Sequence, residues 1–172
     1  MPISIHPFTE KYRSKSLKDI ENQQEAIQKL KRFISGFGKN SKKKAAIVYG
    51  PSGSGKTSLI YAIAYDMKFE VIELNASDFR SKKDIENIIM PAINQKSLFF
   101  KSKIILIDEI DGISGNKDRG GIQALVSLIN DTNYPILLTA NDIWQDKFNS
   151  LRQKAELIQP VSYTHLTLPT KA

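Results

Sequence analysis

Residues 45–57 read AAIVYGPSGSGKT. The first five are apolar and stop at Gly50, which is typical of a buried strand, and from Lys56 onward the pattern is helical. The loop between them fits the spacing G-x-x-x-x-G-K-[ST]. Its glycines let backbone N–H groups approach phosphate oxygens closely, and the following helix adds the positive end of its dipole. A strand, a phosphate-binding loop and a helix are therefore predicted here.

Two side chains at the end of this loop have predicted roles. We expect Lys56 to reach the β- and γ-phosphates of a nucleotide and to act in catalysis by neutralising charge during phosphoryl transfer. The Thr57 hydroxyl is expected to complete the coordination of Mg²⁺, which prefers oxygen ligands. The nucleotide-binding residues predicted in this region are Gly50, Pro51, Ser52, Gly53, Ser54, Gly55, Lys56, Thr57 and Ser58.

Two carboxylates follow another apolar run at residues 104–109, which read IILIDE. Asp108 is predicted to bind Mg²⁺, and Glu109 is predicted to be the general base that activates the attacking water. In open parallel sheets, ligands bind beyond the carboxyl ends of the strands, so Gly50 and Asp108 are expected at the same edge. An isolated Asp-Glu pair is usually a solvated turn, but the buried strand and the complete phosphate loop favour function.

An amide follows the strand predicted for residues 135–139. Asn141 is a candidate to orient the hydrolytic water or to contact the γ-phosphate. Asparagine after a strand is commonly only a turn former. Its position after the loop and the carboxylate pair favours the catalytic interpretation.

Predicted strands alternate with predicted helices along the whole chain. The pattern predicts strands at 45–49, 69–74, 104–107, 135–139 and 156–159, helices at 22–34, 56–67 and 84–90, and a helical stripe formed by Ile122, Leu125, Val126 and Ile129. Such alternation predicts an α/β fold with a mainly parallel sheet covered by helices on both faces.

The composition limits the classes of protein and site. The chain has 172 residues, 41% of them hydrophobic, which is enough for one domain with a core. The absence of cysteine excludes disulfides, thiolate metal sites and cysteine nucleophiles, and His6 and His165 are too far apart in sequence to suggest a metal site. With no apolar run of roughly 18 to 20 residues and no secretory signal, we expect a cytoplasmic protein with no membrane partner.

The positive charge is concentrated at the front of the chain. The formal net charge is +7, and residues 1–44 contain 11 Lys and Arg against 4 Asp and Glu, while the remainder is balanced at 14 against 14. A basic flank suggests polyanionic partners such as nucleotide or DNA, although such a run is more often a solvated face.

The order of these motifs resembles AAA+ ATPases, and further segments resemble the archaeal replication factor C large subunits, which are clamp loaders. Residues 10–13 read EKYR and are similar to the E-K-Y-R-P motif that holds adenine in that family, with Ser14 replacing proline. This resemblance implies that Tyr12 and Arg13 contact the nucleotide. Residues 74–80, LNASDFR, resemble the family's N-A-S-D-x-R segment, and residues 111–115 and 118–122, DGISG and DRGGI, resemble the large subunit.

The resemblance, which runs from about residue 7 to residue 159, implies both architecture and activity. It implies a P-loop AAA+ core with a five-stranded parallel sheet in the order 5-1-4-3-2 sandwiched by helices. It also implies hydrolysis of ATP with Mg²⁺, a hetero-pentamer with four clamp-loader small subunits, and loading of the sliding clamp onto primer-template DNA. The DNA-backbone candidates are Arg80, Lys82, Lys83 and Arg119.

Small clamp-loader subunits carry a Ser-Arg-Cys motif after the sensor residue, and its arginine reaches a neighbour's ATP site. Residues 151–154 here read LRQK, so Arg152 is not assigned as an arginine finger. A neighbouring small subunit would instead donate the arginine to this site. Such a finger is worth roughly 10³- to 10⁵-fold in rate.

Residues 95–100, QKSLFF, precede the third predicted strand. They are expected at the end of the sheet opposite the nucleotide, where a partner could approach. We predict that Leu98, Phe99 and Phe100 dock on the sliding clamp, since paired aromatics after a glutamine are similar to clamp-binding motifs. The alternative is that at least two of them belong to the core.

Residues 161–172 differ from the rest, and VSYTHL resembles a translated sequencing-library adapter. We therefore expect residues 1–160 to form a truncated ATPase domain without lid and collar, followed by a non-native tail; an ordinary flexible C-terminus is the alternative. Two other functions remain open, a different replication AAA+ ATPase such as a helicase loader and a non-hydrolysing structural subunit. Asp108 and Glu109 together favour hydrolysis.

Overall fold

The computed structural model describes residues 23–38, 40–76, 102–113 and 119–160, together with the single positions 83, 87 and 91. Five strands form one sheet in the order β2-β3-β4-β1-β5. Their bounds are Ala45–Tyr49 for β1, Phe69–Asn75 for β2, Ser102–Asp108 for β3, Ile136–Ala140 for β4 and Ala155–Ile158 for β5. All neighbours are parallel. This is the predicted order 5-1-4-3-2 seen from the other edge, so the predicted sheet is confirmed.

One helix precedes β1, and further helices follow β1, β3 and β4. The longer ones are α1 at Gln24–Ser35, α2 at Lys56–Asp66, α3 at Arg119–Asp131 and α4 at Asn149–Lys154, and short 3-10 helices cover Ile110–Gly112 and Asp146–Phe148. The helix predicted for residues 84–90 lies outside the described residues except at position 87, which is helical. Among the residues described, no helix combines the length and apolarity that crossing a bilayer requires.

The core has two halves, one on each face of the sheet. Successive residues of a strand point to opposite faces, and in β1 Ile47 packs with one buried cluster while Val48 packs with the other. The first cluster contains Leu125 of α3 and Leu151 of α4. The second contains residues of α1 and α2, including Leu30 and Ile60. The sheet is therefore covered by helices on both faces, as the alternating pattern predicts.

The bounds of β1 are those predicted, whereas the other strands differ from their predicted ends by one or two residues, most clearly β3. Its ladder with β2 runs from Phe69 opposite Ser102 to Asn75 opposite Asp108. The apolar run that predicted this strand begins only at Ile104, because Ser102 and Lys103 are polar. Backbone pairing nevertheless continues through them, and Lys103 is buried.

Candidate functional site

The glycine-rich loop adopts a backbone conformation that residues with a β-carbon disfavour. Gly53 and Gly55 have φ values of 76° and 78°, in the left-handed region, and Gly55 caps the start of α2. A β-carbon would strain the backbone at both positions. The Gly50 N–H donates to the Ala140 carbonyl at 3.1 Å, which ties the start of the loop to the end of β4. The predicted succession of strand, loop and helix is therefore present.

Lys56 is the first residue of α2 and is only 9% exposed. Its ammonium group donates to the carbonyl oxygens of Gly50 and Pro51, each at 2.9 Å, and to Asn141 Oδ1 at 3.0 Å. Burial lowers the pKa of Lys56, and the opposing attraction of Asp111, Asp108 and Glu109 offsets this only in part. The buried cation therefore has hydrogen-bond partners but releases its proton more readily than an exposed lysine.

Asp108 joins the phosphate loop to the neighbouring strand β4. The Thr57 hydroxyl donates to Asp108 Oδ1 at 2.9 Å, and the Thr139 hydroxyl donates to the same oxygen in a short hydrogen bond. Ile107 pairs with Leu138, so the residues that follow them, Asp108 and Thr139, lie level with each other. The predicted proximity of the loop and the first carboxylate is therefore observed.

Glu109 directly follows β3 and turns the backbone. Its φ and ψ are 54° and 55°, in the left-handed region, which for a residue other than glycine costs of order 1–3 kcal/mol. Two hydrogen bonds hold this conformation. The Glu109 N–H donates to Thr139 Oγ1 at 2.9 Å, and the Glu109 carbonyl accepts from the Gly112 N–H at 2.9 Å.

Asp111 links the turn after β3 to the loop after β4. Its carboxylate accepts the Asn141 N–H at 2.6 Å and the Asp142 N–H at 3.0 Å. The Asn141 backbone is thus held by Asp111, while its side-chain oxygen meets Lys56. Hydrogen bonds therefore hold both the backbone and the side chain of Asn141, which pre-organises this residue.

These groups line one cleft at the carboxyl ends of β1, β3 and β4. Its lining residues are Ser52, Gly53, Gly55, Lys56, Thr57, Ser58, Asp108, Glu109, Asp111, Thr139, Ala140 and Asn141. Of the predicted loop residues, Gly50 and Pro51 contribute the carbonyls that accept from Lys56, while the Ser54 hydroxyl is enclosed and has no hydrogen-bond partner within the described part of the chain. The loop, both carboxylates and Asn141 therefore meet in one place.

Several predicted functional residues belong to other parts of the chain than this cleft. Three groups lie outside the described residues: the adenine candidates Tyr12 and Arg13, the clamp candidates Leu98, Phe99 and Phe100, and the DNA candidates Arg80 and Lys82. Lys83 is helical and exposed, and Arg119 begins α3, where its backbone alone is described.

Sequence reasoning gave no individual role to Thr139 or Asp111. Thr139 falls inside the apolar run predicted as a strand, and Asp111 falls inside a segment noted only for its family resemblance. A signal existed for Thr139, because it is the single polar side chain of the ILLTA strand and directly precedes Ala140 and Asn141. Asp111 becomes recognisable only when the two loops are seen together.

Arg152 is engaged within its own chain. Its guanidinium donates to the carbonyls of Ile143 and Gln145 and to the side chain of Asn149, and it lies 5.5 Å from the centroid of the Trp144 ring.

Comparison with known proteins identifies relatives of this arrangement. The family model described as "ATPase family associated with various cellular activities (AAA)" matches residues 46–161. The replication factor C large subunit of Nanoarchaeum equitans is 45% identical over 153 residues, covering 89% of this chain and 36% of the relative. The proteins of that name from Thermofilum pendens and Sulfolobus acidocaldarius are 45% and 47% identical, covering 91% and 87% of this chain and 38% and 35% of their own lengths. The chain thus resembles archaeal replication factor C large subunits, as predicted, and spans little more than a third of their length.

Proposed function

This chain belongs to the AAA family of ATPases, and on that premise we propose that it binds and hydrolyses ATP as the front portion of a clamp-loader large subunit. The observation that carries the proposal is the contact of Thr57 with Asp108 beside the buried Lys56. These are the groups that a triphosphate and its metal require at one edge of a parallel sheet.

We propose that the loop from Gly50 to Ser58 holds the phosphates. Lys56 would exchange its bonds to the Gly50 and Pro51 carbonyls for phosphate oxygens, which are stronger acceptors because they are charged. The left-handed Gly53 and Gly55 support this role, since they let the backbone curl around an anion. By family resemblance, Tyr12 and Arg13 would contact the adenine.

The residues present fit Mg²⁺. The Thr57 hydroxyl and the Asp108 carboxylate are oxygen donors, and their oxygens lie 2.9 Å apart. Mg²⁺ takes oxygen ligands and is typically held by one or two protein groups together with substrate phosphates. When bound, the ion would neutralise charge on the phosphates as the terminal phosphoryl group is transferred.

Glu109 and Asn141 would act on the attacking water. We assign Glu109 as the general base because it follows Asp108 directly and lines the same cleft. A bound nucleotide would displace the side-chain oxygen of Asn141 from Lys56. Asn141 would then orient the water or contact the γ-phosphate. Removing a general base typically lowers a rate by roughly 10²- to 10⁴-fold.

The name of the relatives suggests the wider setting, an assembly of a large subunit with other subunits. We propose that the chain works in a hetero-oligomer with clamp-loader small subunits and couples hydrolysis to loading of the sliding clamp onto primer-template DNA. Leu98, Phe99 and Phe100 remain the proposed clamp contact. Arg80, Lys82, Lys83 and Arg119 remain the proposed contacts to the DNA backbone, without base readout.

We also propose that residues 1–160 form the ATPase domain and that residues 161–172 are not native to it. The family match ends at residue 161, one residue past this boundary. The sequence of the uninterrupted gene after codon 160 tests it, and a continuation identical to residues 161–172 would contradict it.

The test of hydrolysis is Glu109→Gln in the protein assembled with its partner subunits. Binding of ATP with Mg²⁺ should persist, and single-turnover hydrolysis should fall by roughly 10²-fold or more. Glu156→Gln is a matched control, because Glu156 lies on β5 and is not part of the cleft lining. Hydrolysis at the original rate by Glu109→Gln would reject the assigned base. Stimulation of hydrolysis by the clamp separates a clamp loader from a helicase loader.

A further inference from the structure

A buried hydroxyl connects two neighbouring carboxylate residues of the cleft, Asp108 and Glu109. Thr139 lies in β4, next to β3, and is 1% exposed. Its Oγ1 donates to Asp108 Oδ1 and accepts the N–H of Glu109 at 2.9 Å. One hydroxyl supplies one donor and two acceptor lone pairs, so a single side chain can make both bonds at once.

The bond to Asp108 restricts the carboxylate. Asp108 Oδ1 accepts from Thr57 on the loop side and from Thr139 on the strand side. Two hydrogen bonds from different elements to one oxygen leave the carboxylate little freedom to rotate. The orientation of Asp108 toward Thr57 therefore depends on a residue outside the phosphate loop.

The bond to Glu109 supports a strained backbone. Glu109 is one of the two residues other than glycine, within the described part of the chain, that have a positive φ. Such a conformation persists only where the surroundings hold it. The Thr139 hydroxyl is the acceptor for the Glu109 N–H, so it helps to hold the turn that places Glu109 in the lining of the cleft.

We propose that Thr139 is a positioning residue for hydrolysis, which acts by orienting Asp108 and fixing the backbone turn at Glu109; this inference rests on the proposed ATPase function. It touches neither the loop glycines nor Lys56 in the bonds described above. Loss of the hydroxyl should therefore slow the chemical step and weaken the response to Mg²⁺, while nucleotide binding through the loop continues.

The test compares Thr139→Ser with Thr139→Ala, two side chains that differ by one oxygen atom. The serine variant retains the hydroxyl, whereas the alanine variant leaves the Glu109 N–H without its acceptor. Both lose the same methyl group, so the packing defect in β4 is shared. Thermal unfolding of both variants checks that this shared defect leaves them folded.

Three measurements are made on each variant in the protein assembled with its partner subunits. ATP affinity in the presence of a chelator should stay within about threefold of the original protein for both. Single-turnover hydrolysis at saturating ATP should fall roughly ten- to hundredfold for alanine, as expected for loss of a hydrogen bond to a charged group, and should largely recover with serine. The Mg²⁺ concentration that gives half-maximal hydrolysis should rise for alanine alone.

A fourth measurement does not depend on activity. The Glu109 amide should exchange its hydrogen faster in Thr139→Ala than in Thr139→Ser, because only serine retains an acceptor. Equal hydrolysis, equal Mg²⁺ dependence and equal exchange in the two variants would overturn the inference. An original protein that never hydrolyses ATP in its assembly would instead refute the proposed function, so the two failures are distinguishable.

Discussion

The ammonium group of Lys56 lies 3.0 Å from Oδ1 of Asn141, a residue 85 positions later in the chain. Its other two hydrogen bonds go to carbonyls of the loop itself. An ammonium group has three N–H donors, so all of them are occupied. A phosphate that binds Lys56 must displace at least one of these oxygens. Displacement of Asn141 would couple phosphate binding to the release of the amide that we assign to the hydrolytic step.

The first prediction concerns pH. Burial lowers the pKa of Lys56 in the free protein, and phosphate binding requires the protonated form. ATP affinity should therefore decline as the pH rises, and the decline should begin below the pKa of an ordinary lysine, about 10.4. Calorimetric titrations with ATP across the alkaline range measure this.

Lys56→Arg is the matched control for the pH experiment, because a guanidinium stays charged throughout that range. Its affinity should be weaker overall but flat with pH. The interpretation fails if the arginine variant shows the same decline, since another group would then be titrating.

The second prediction concerns Asn141. Replacing Asn141 by alanine removes one of the three acceptors of Lys56, but the loop carbonyls remain. Binding of ATP should change by less than about tenfold, whereas single-turnover hydrolysis should fall roughly 10- to 100-fold, as for the loss of one charged hydrogen bond. Asn130→Ala, at an exposed position of α3, is the control and should leave both unchanged. A loss of binding as large as the loss of rate would argue against a catalytic role.

The third prediction concerns Asp111, which accepts the N–H groups of Asn141 and Asp142. Asp111→Asn keeps only one acceptor oxygen and directs an NH₂ group toward a donor. We expect a destabilisation of about 1–2 kcal/mol, read as a lower midpoint in urea, together with slower hydrolysis. Asp146→Asn, in the exposed part of the nearby 3-10 helix, removes the same charge without these bonds. Equal midpoints for the two variants would show that the carboxylate does not hold the loop.

The sequence predicts the layout of the nucleotide edge because strand, glycine loop and carboxylate pair have strong local patterns. Gly50 and Asp108 each follow a buried apolar run, and a parallel sheet brings such strand ends to one edge. The confirmed strand order came from the family resemblance, because alternation of helices and strands does not specify which strands are neighbours.

What the sequence does not reveal are contacts between loops and the exact ends of strands. Thr139 and Asp111 act through hydrogen bonds to residues about 30 positions away, and no local pattern encodes such partners. The polar start of β3 at Ser102 was missed because its pairing with Phe69 depends on the backbone, whereas the prediction used hydropathy. The role of a residue that depends on a partner distant in sequence therefore becomes visible only in the structure.

The last prediction uses Trp144, the single tryptophan of the chain, as a reporter of phosphate binding. Its ring meets the ring of Tyr49 edge-on, with centroids 5.9 Å apart, and it is 60% exposed. Tyr49 directly precedes Gly50, whose carbonyl accepts from Lys56. A phosphate that draws Lys56 away should shift this segment and change the tryptophan emission in a saturable way as ATP with Mg²⁺ is added.

Two variants define the origin of that signal. Trp144→Phe should bind ATP normally and give no tryptophan signal, while Lys56→Ala should keep its emission constant through the titration because it no longer holds the phosphates. If calorimetry detects saturating ATP binding by the original protein while its emission stays constant, then Tyr49 and Trp144 do not follow the loop. The phosphate would in that case be accommodated without movement of Gly50, and Lys56 would reach it from its present position by exchanging Asn141 alone.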